Sequence, residues 1–159
     1  MEDDKRRLLS GLNVRVRILV LCSGNVARSQ MLAGFLRQRA PEGVEVYSAG
    51  TKPEARLWPP VVEAMREVGV DLSQERPKGI EAVDGLRFDY VISVCDAAKE
   101  ACPIWPDPET VRLHRSFPDP RSAENGEKAV RAVRDELRKW ADELAATLFA
   151  ASQKPRAPE

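Results

Sequence analysis

The sequence predicts an α/β fold: a three-layer sandwich in which a four-stranded parallel sheet is flanked by helices. The main observation is that short apolar runs alternate with amphipathic segments, which is the pattern of βαβ units and a parallel sheet. A second is the length of 159 residues, which suits one domain with its own core. A third is that two apolar runs end in a cysteine, because ligands of such sheets bind where the strands end.

The first half of the chain contains two predicted strands and two predicted helices. The apolar run Val16–Cys22 predicts a buried strand, and apolar residues on one face of Ser29–Arg39 predict the helix that follows it. Val44–Ser48 predicts the second strand. Pro60–Val68 predicts the second helix, which ends before Gly69. These elements form the first βαβα portion of the fold.

The second half begins with the segment FDYVISVC, residues 88–95, which predicts the third strand. A short fourth strand is predicted around Val111–His114. The last predicted element is a long helix whose apolar residues recur at spacings of 3 and 4 and form one stripe. The residues of this stripe are Val130, Val133, Leu137, Trp140, Leu144 and Leu148.

The pattern divides the chain into a single domain with two short ends. Residues 1–13 predict a flexible N-terminal extension, residues 14–151 a single domain, and residues 152–159 a C-terminal tail. Lys plus Arg and Asp plus Glu number 25 each, so no overall field favours nucleic acid or a membrane surface as a partner. Any anion site must therefore be local.

The location of the protein is predicted from its apolar runs and its cysteines. The N-terminus has no apolar stretch typical of a signal peptide, and the run ILVLC is far shorter than the ~20 residues that span a bilayer. We therefore expect a cytoplasmic protein. Three cysteines in that compartment favour free, catalytic or redox thiols over a disulfide framework.

The segment between the first strand and the first helix has the features of an oxyanion-binding loop. Gly24 allows tight curvature, and Asn25 tolerates a left-handed backbone conformation. A loop of this length can direct successive backbone N–H groups inward at a helix N-terminus, and Arg28 adds a planar fork for two oxygens. The Gly-Lys-Ser/Thr ending of nucleotide-binding loops is absent. The predicted oxyanion-binding residues are Ser23, Gly24, Asn25, Val26, Ala27, Arg28 and Ser29.

The same loop predicts a nucleophilic thiol at Cys22. Arg28, the helix N-terminus and the Ser29 hydroxyl all favour the thiolate, which is the reactive form of cysteine. The alternative is a structural cysteine buried at the end of a strand, with Arg28 on the surface. The surrounding sequence VLCSGNVARSQ favours the catalytic interpretation.

Four segments resemble the low-molecular-weight tyrosine phosphatase superfamily and, within it, the thioredoxin-coupled arsenate reductases. They are CSGNVARSQ at 22–30, SAGT at 48–51, VISVCDAAKEACP at 91–103 and FPDP at 117–120, and the similarity covers roughly residues 16–150. Phosphatases of this fold usually continue Arg-Ser with Pro, so Gln30 favours the reductases. The resemblance implies an arsenate reductase with Cys22 as nucleophile and arsenate as substrate, for which phosphate competes.

The resemblance also implies roles for Cys95, Cys102 and Asp119. Cys95 would attack Cys22 and release arsenite, Cys102 would attack Cys95, and thioredoxin would reduce the resulting Cys95–Cys102 disulfide. Asp119 would protonate the departing oxygen. The residues alone leave the acid open between Asp119 and Asp107, since each precedes a proline.

The spacing of Cys95 and Cys102 adds a physical condition to this relay. Six residues that favour helix separate them, and a regular helix would hold their Cα atoms about 10 Å apart. A disulfide requires Cα atoms within roughly 7 Å. The segment must therefore loop out if the two thiols are to bond.

The chain departs from the family pattern at three places. Ala27 occupies a position that is often cysteine, outside the reductase relay. Ala33 and Lys78 stand where some reductases bind potassium through acidic side chains, so we expect no such ion and no cofactor. The family's Asp-Asp-Pro is Pro118-Asp119-Pro120 here, which keeps the second carboxylate. One histidine and no CxxC motif also argue against a zinc site.

Two other functions remain open from the sequence. The loop could hydrolyse phosphotyrosine through a Cys22-phosphate, although such a phosphatase needs neither Cys95 nor Cys102 and tends to carry an aromatic residue where this chain has Arg121. We expect weak phosphatase activity as a side reaction of the reductase. The protein could also be a non-enzymatic thiol sensor, in which case Asp119 would be dispensable.

Overall fold

Four parallel strands form the centre of the structure. The computed structural model describes residues 14–96 and 105–150. Within these ranges one sheet has the strand order β2-β1-β3-β4. The strands are β1 (Val16–Cys22), β2 (Val44–Gly50), β3 (Tyr90–Ser93) and β4 (Val111–His114). The predicted α/β class with a four-stranded parallel sheet flanked by helices is therefore confirmed.

Helices cover the two faces of this sheet unequally. The described α-helices are α1 (Arg28–Arg39), α2 (Pro59–Arg66) and α3 (Gly126–Leu148), and two 3₁₀ turns lie at Ile80–Val83 and Pro120–Ser122. All three α-helices pack into one apolar cluster against one face of β1. On the other face, the turn Ile80–Val83 and the aromatic side chains of Phe88 and Trp105 cover the strands.

The observed bounds differ from the predicted ones where strand pairing decides them. β1 and β4 have the predicted bounds. β2 continues beyond the predicted Ser48 because Gly50 pairs with Cys22 at the end of β1. β3 is shorter than the apolar segment 88–95, since the pairing with β4 ends at Ser93. Apolar character therefore located the strands, and their partners set their lengths.

The helix bounds differ from prediction by one or two residues. α1 begins at Arg28, one residue earlier than predicted, and α2 spans Pro59–Arg66 rather than Pro60–Val68. After α2 the chain continues as a turn to Gly69, whose φ of 83° lies in the left-handed region that glycine tolerates. The apolar stripe predicted for the last helix falls inside α3, where Val130, Leu137 and Leu144 are buried.

The register of the sheet brings two cysteines to the same edge. β1 and β3 are parallel neighbours, with Leu21 opposite Ser93. The Val94 amide donates to the Leu21 carbonyl oxygen over 3.0 Å, which continues the alignment past the end of β3. Cys22 is the last residue of β1 and Cys95 follows β3 by two residues, so both lie at the carboxyl ends of adjacent strands, where parallel sheets bind their ligands.

Several predictions concern segments at the limits of the described residues. The N-terminal extension and the C-terminal tail lie outside them, as do Cys102 and most of the segment that joins it to Cys95. The division into one domain with two short ends stays a prediction. No helix within residues 14–96 and 105–150 is both long and apolar enough to cross a membrane.

Candidate active site

The loop that follows β1 is held in place by the segment that follows β2. Lys52 donates its amide to the Ser23 carbonyl oxygen over 2.9 Å, and Glu54 donates to the Gly24 carbonyl oxygen over 3.2 Å. Gly50 lies directly beneath the loop, because a Cβ atom there would be 2.4 Å from the Ser23 carbonyl oxygen. The SAGT motif thus supplies the one residue type that lets the two segments approach this closely.

Asn25 fixes the curvature of the loop with both its backbone and its side chain. Its φ of 54° is left-handed, as the sequence predicted. Its Oδ1 accepts hydrogen bonds from the Lys78 amide over 2.8 Å and from Gln30 Nε2 over 2.9 Å. Because the Lys78 backbone amide can only donate, the Asn25 atom that it contacts must be the oxygen, and this fixes the orientation of the Asn25 side-chain amide. Asn25 Nδ2 then donates to Ser29 Oγ over 2.8 Å.

These contacts orient two hydrogen bonds toward the Cys22 sulfur. The Asn25 amide donates to Cys22 Sγ over 3.2 Å, and Ser29 Oγ lies 2.8 Å from the same sulfur. Ser29 Oγ accepts from Asn25 Nδ2, and its own proton can be donated to the sulfur when the sulfur is ionised. Cys22 is 2% exposed and is a free thiol. The arrangement suits a sulfur that carries negative charge and attacks an electrophile at the loop.

Gln30 connects this loop to a third segment of the chain. Its Nε2 donates both to Asn25 Oδ1 and to the Arg76 carbonyl oxygen, the latter over 3.1 Å. A proline at this position could make neither contact. Gln30 therefore contributes to the conformation of the loop through Asn25 rather than by touching the sulfur.

Arg28 is buried at the start of α1, beside the loop. It is 2% exposed, and its Nη1 donates to the Phe117 carbonyl oxygen over 3.0 Å. Its Nη2 lies 3.8 Å from Asp119 Oδ2. No side chain caps α1, so the helix N-terminus carries its partial positive charge into the loop. Together, the guanidinium and the helix N-terminus provide the positive field that an oxyanion requires.

Asp119 lies at the rim of the site between two guanidinium groups. Arg121 donates to Asp119 from its amide and from Nε, over 3.0 and 3.1 Å, and its Nη2 lies 3.0 Å from Asp119 Oδ2. Partial burial would raise the pKa of Asp119, but the hydrogen bonds from Arg121 and the charge of Arg28 outweigh it and lower that pKa. The carboxyl group is therefore ionised near neutral pH in the ligand-free site.

The structure distinguishes between Asp107 and Asp119, the two aspartates that the sequence left as candidates for the general acid. Asp107 precedes β4 and lines a small cavity with Arg87 and Asp89, at the amino ends of the strands. Asp119 follows β4 and contacts Arg28 at the opposite edge. Only Asp119 is near the loop.

The two downstream thiols are only partly described. Cys95 is fully buried in the same apolar cluster as Cys22, and it is disulfide-bonded in this structure. Cys102 lies outside the described residues. The structure therefore brings together Cys22, Arg28, Ser29 and Asp119, and Cys95 lies two residues beyond the end of the neighbouring strand β3.

The positions compared with potassium ligands hold an alanine and a lysine. Ala33 is fully buried, and Lys78 Nζ donates to the Arg76 carbonyl oxygen over 2.9 Å. Burial lowers the pKa of Lys78, although Glu75 opposes this effect. Across the described part of the chain, no three His, Cys, Asp or Glu side chains are grouped as metal ligands.

Several contributors to the site were not predicted from the sequence. Glu54 and Arg121 pair across the mouth of the loop, the Lys78 amide orients Asn25, and the Phe117 carbonyl oxygen holds Arg28. Two of these groups belong to the backbone, so no side-chain pattern could have revealed them. The sequence did single out the position of Arg121, because tyrosine phosphatases of this fold tend to carry an aromatic residue after Asp-Pro, and this chain has an arginine there.

The sequence matches the low molecular weight phosphotyrosine protein phosphatase family over residues 17–154. The chain belongs to this family. The match spans the loop, Asp119 and all four strands, with the exception of the first residue of β1.

Individual relatives within the family carry different activities. The arsenate reductase of Bacillus subtilis (strain 168) is 37% identical over 134 residues, which cover 82% of this chain and 95% of that protein. A solved arsenate reductase in the oxidized state has a TM-score of 0.70 at 26% identity, over 84% of this chain and 99% of that one. The YwlE arginine phosphatase from Geobacillus stearothermophilus also has a TM-score of 0.70, at 23% identity, over 91% of this chain and 100% of its own. Because a reductase and a phosphatase fit equally well, the fold does not decide the reaction.

Proposed function

We propose that this protein reduces arsenate to arsenite by a thiol relay through Cys22, Cys95 and Cys102, with thioredoxin as the electron donor. The observation that carries the proposal is that Cys22 and Cys95 lie at the carboxyl ends of the adjacent strands β1 and β3, Cys22 as the last residue of β1 and Cys95 two residues after β3. An oxyanion hydrolase needs only the first of these thiols. A second thiol beside it is explained by a reductive step.

The loop supplies the binding site for the substrate. Arsenate is a tetrahedral oxyanion, and residues 23–29 together with the Arg28 guanidinium offer amide and guanidinium donors at the N-terminus of α1. Phosphate has nearly the same shape and charge, so we expect it to compete for the same loop. No metal ion or cofactor is required for this binding.

In the first step the Cys22 thiolate attacks arsenic, and one arsenic–oxygen bond breaks. Asp119 donates a proton to the departing oxygen, which leaves as water or hydroxide. Asp119 is ionised in the ligand-free site, but the negative charge of bound arsenate raises its affinity for a proton. The product is arsenic(V) bonded to the Cys22 sulfur.

In the second step the Cys95 thiolate attacks the Cys22 sulfur. The electron pair of the sulfur–arsenic bond passes to arsenic, which leaves as arsenite, and a Cys22–Cys95 disulfide remains. Cys102 then attacks Cys95 and frees Cys22, and the thioredoxin dithiol supplies two electrons to the Cys95–Cys102 disulfide. Such a reaction belongs in the cytoplasm, where thiols are kept reduced.

A phosphatase reaction is the second candidate. Cys22, Arg28 and Asp119 are the groups that a Cys22-phosphate intermediate needs, and the family match is to phosphotyrosine phosphatases. This reaction leaves Cys95 without a role. We therefore propose hydrolysis of aryl phosphates as a weak side activity.

A small set of variants tests the proposal. Arsenite formation with thioredoxin, thioredoxin reductase and NADPH is compared with hydrolysis of an aryl phosphate for the wild-type protein and for Cys95→Ser and Asp119→Asn. The relay predicts that Cys95→Ser abolishes arsenate turnover and spares hydrolysis. Asp119→Asn should slow both reactions by about 100-fold or more, because both need the same acid.

Three results would contradict the relay. Unimpaired arsenate turnover by Cys95→Ser would remove Cys95 from the reaction. Hydrolysis without any arsenate turnover in the wild-type protein would favour the phosphatase. Turnover of neither substrate would favour a thiol sensor.

A further inference from the structure

The ion pair between Arg121 and Glu54 joins two segments that flank the oxyanion loop. Glu54 belongs to the segment that follows β2 and donates its amide to the Gly24 carbonyl oxygen over 3.2 Å. Arg121 belongs to the segment that follows β4 and donates from Nη1 to Glu54 Oε2. The two segments are therefore linked by their side chains at the outer side of the loop.

Gly24 shows how closely this pair approaches the loop. A Cβ atom on Gly24 would lie 2.8 Å from Glu54 Oε2 and 3.6 Å from Arg121 Nη2. Gly24 is the second residue after Cys22, so both charged groups lie over the loop that holds the nucleophile. The absence of a side chain at this position makes room for them.

Arg121 is anchored at both ends of its guanidinium group. It donates to Asp119 from Nε and Nη2, over 3.1 and 3.0 Å, and to Glu54 from Nη1. These contacts raise the pKa of Arg121, chiefly through Asp119, so the group stays charged. Its side chain is 28% exposed and that of Glu54 is 51% exposed, which places the pair at the boundary with solvent.

We propose that the Arg121–Glu54 pair is a size filter that admits inorganic oxyanions to the loop and obstructs phosphate monoesters. This proposal rests on the proposed function, because it concerns the substrate class of the same site. An oxyanion bound through the loop and Arg28 must direct its remaining substituent outward. In an ester that substituent is a carbon group, which meets two charged side chains at the mouth.

The physical cost falls on the ester alone. To admit a ring, Arg121 and Glu54 must separate. Their charged atoms then lose the hydrogen bond between them and contact either water or the apolar ring, which offers no hydrogen bonds. An inorganic oxyanion extends only an oxygen in this direction. Arg121 and Glu54 act here as specificity residues and take no part in bond breaking.

Binding of a graded series of anions tests the filter without any turnover. In a Cys22→Ser background, calorimetry gives the affinities for inorganic phosphate, methyl phosphate and phenyl phosphate at an alkaline pH where all three are dianions. The variants are Glu54→Gln and Arg121→Gln. Arg87→Gln is the matched control, since it breaks an exposed pair with Glu109 near the cavity at the amino ends of the strands.

The two variants have opposite electrostatic effects, and both remove the ion pair across the mouth of the loop. Glu54→Gln removes a negative charge and should strengthen binding of all three anions, whereas Arg121→Gln should weaken it. The affinity of phenyl phosphate relative to methyl phosphate should nevertheless rise about tenfold in both, since in each variant a ring can enter without separating an ion pair. The control should leave this ratio unchanged.

The outcomes separate the filter from the proposed function. An unchanged ratio of phenyl to methyl phosphate affinity in both variants would overturn the filter, even if the wild-type protein reduces arsenate. A raised ratio in a protein that forms no arsenite would support the filter and contradict the reductase. A ratio that rises in Arg87→Gln as well would also overturn it, because the effect would not be local.

Discussion

The floor and the rim of the site are built from different interactions. The floor, formed by Cys22–Ser29, is almost fully buried and is held by neutral hydrogen bonds from Asn25, Gln30 and the Lys78 amide. The rim, formed by Asp119, Arg121 and Glu54, is partly exposed and is held by ion pairs. Buried neutral networks keep one geometry, whereas exposed ion pairs respond to pH, salt and ligands.

This difference assigns different tasks to the two regions. The floor fixes the distances between the sulfur and its donors, on which bond formation depends. In the proposed mechanism the rim supplies a proton through Asp119, and the proposed filter places control of access to the loop there as well. Changes to the floor should therefore lower activity at every pH and for every substrate, while changes to Arg121 and Glu54 in the rim should alter pH dependence and selectivity.

The largest effect is expected from Gly50→Ala, which disturbs the floor from below. The new Cβ would lie 2.4 Å from the Ser23 carbonyl oxygen and 3.0 Å from the Asn25 amide nitrogen, so the loop must move. A shift of this size should lower kcat/KM by roughly 100-fold, as measured by arsenite formation or by aryl phosphate hydrolysis. Gly85→Ala is the control, because its φ of 84° is strained for alanine but no atom lies within 4 Å. Wild-type kcat/KM in Gly50→Ala would contradict the packing argument.

A smaller effect is expected from Ser29→Ala, which removes one donor from the sulfur. With Cys95→Ser and Cys102→Ser as background, Cys22 is the single thiol, and its alkylation by iodoacetamide can be timed at neutral pH. A hydrogen bond to a charged group is worth about 1.5–3 kcal/mol, so the rate should fall about tenfold or more. Ser48→Ala is the matched control, since Ser48 Oγ is buried and has no hydrogen-bond partner among the described residues. Equal rates in the two variants would remove Ser29 from the activation of Cys22.

Loss of Arg121 from the rim should change the pH profile rather than the maximum rate. Arg121 lowers the pKa of Asp119, and an acid that must be protonated is lost as pH rises through its pKa. Arg121→Gln therefore raises that pKa and should shift the alkaline fall of kcat/KM to higher pH. The profile is measured for aryl phosphate hydrolysis, with Arg87→Gln for comparison. A shift to lower pH would contradict the role assigned to Arg121.

The smallest effect is expected far from the site, at Glu67. Hydrogen bonds from Arg131 and Arg134 lower the pKa of Glu67 from 4.5 to about 2. A carboxyl group whose pKa falls on folding stabilises the folded state above its unfolded pKa, and this contribution is lost as pH falls from about 4.5 to about 2. Glu67→Gln should therefore weaken the dependence of urea unfolding on acid pH and leave kcat/KM unchanged. If the pH dependence of the free energy of unfolding were the same in Glu67→Gln as in the wild-type protein, the ion pairs of Glu67 would not contribute to stability.

The elements that could be predicted from sequence are those whose cause is local. The apolar run of β1, the left-handed Asn25 and the stripe of α3 each follow from neighbouring residues. The extra length of β2 was missed because it depends on Cys22, which is far away in the sequence. Sequence pattern therefore located elements better than it located their ends.

The floor of the site was predictable to a greater extent than its rim. Cys22, Gly24 and Arg28 lie within one loop, so their spacing carries a signal. Glu54 and Arg121 are separated by 67 positions and meet only in the fold. Salt-bridge partners at such separations have no local pattern, and the many charged residues of the chain offer each arginine several possible partners.

The relay is tested most directly by a single turnover in the Cys102→Ser variant. Fully reduced protein is mixed with arsenate, remaining thiols are alkylated, and peptides are analysed by mass spectrometry together with the arsenite released. The account predicts one Cys22–Cys95 disulfide and one arsenite per protein molecule, because Cys102 is absent and cannot resolve the disulfide. Alkylated Cys22 and Cys95 with no arsenite would contradict it.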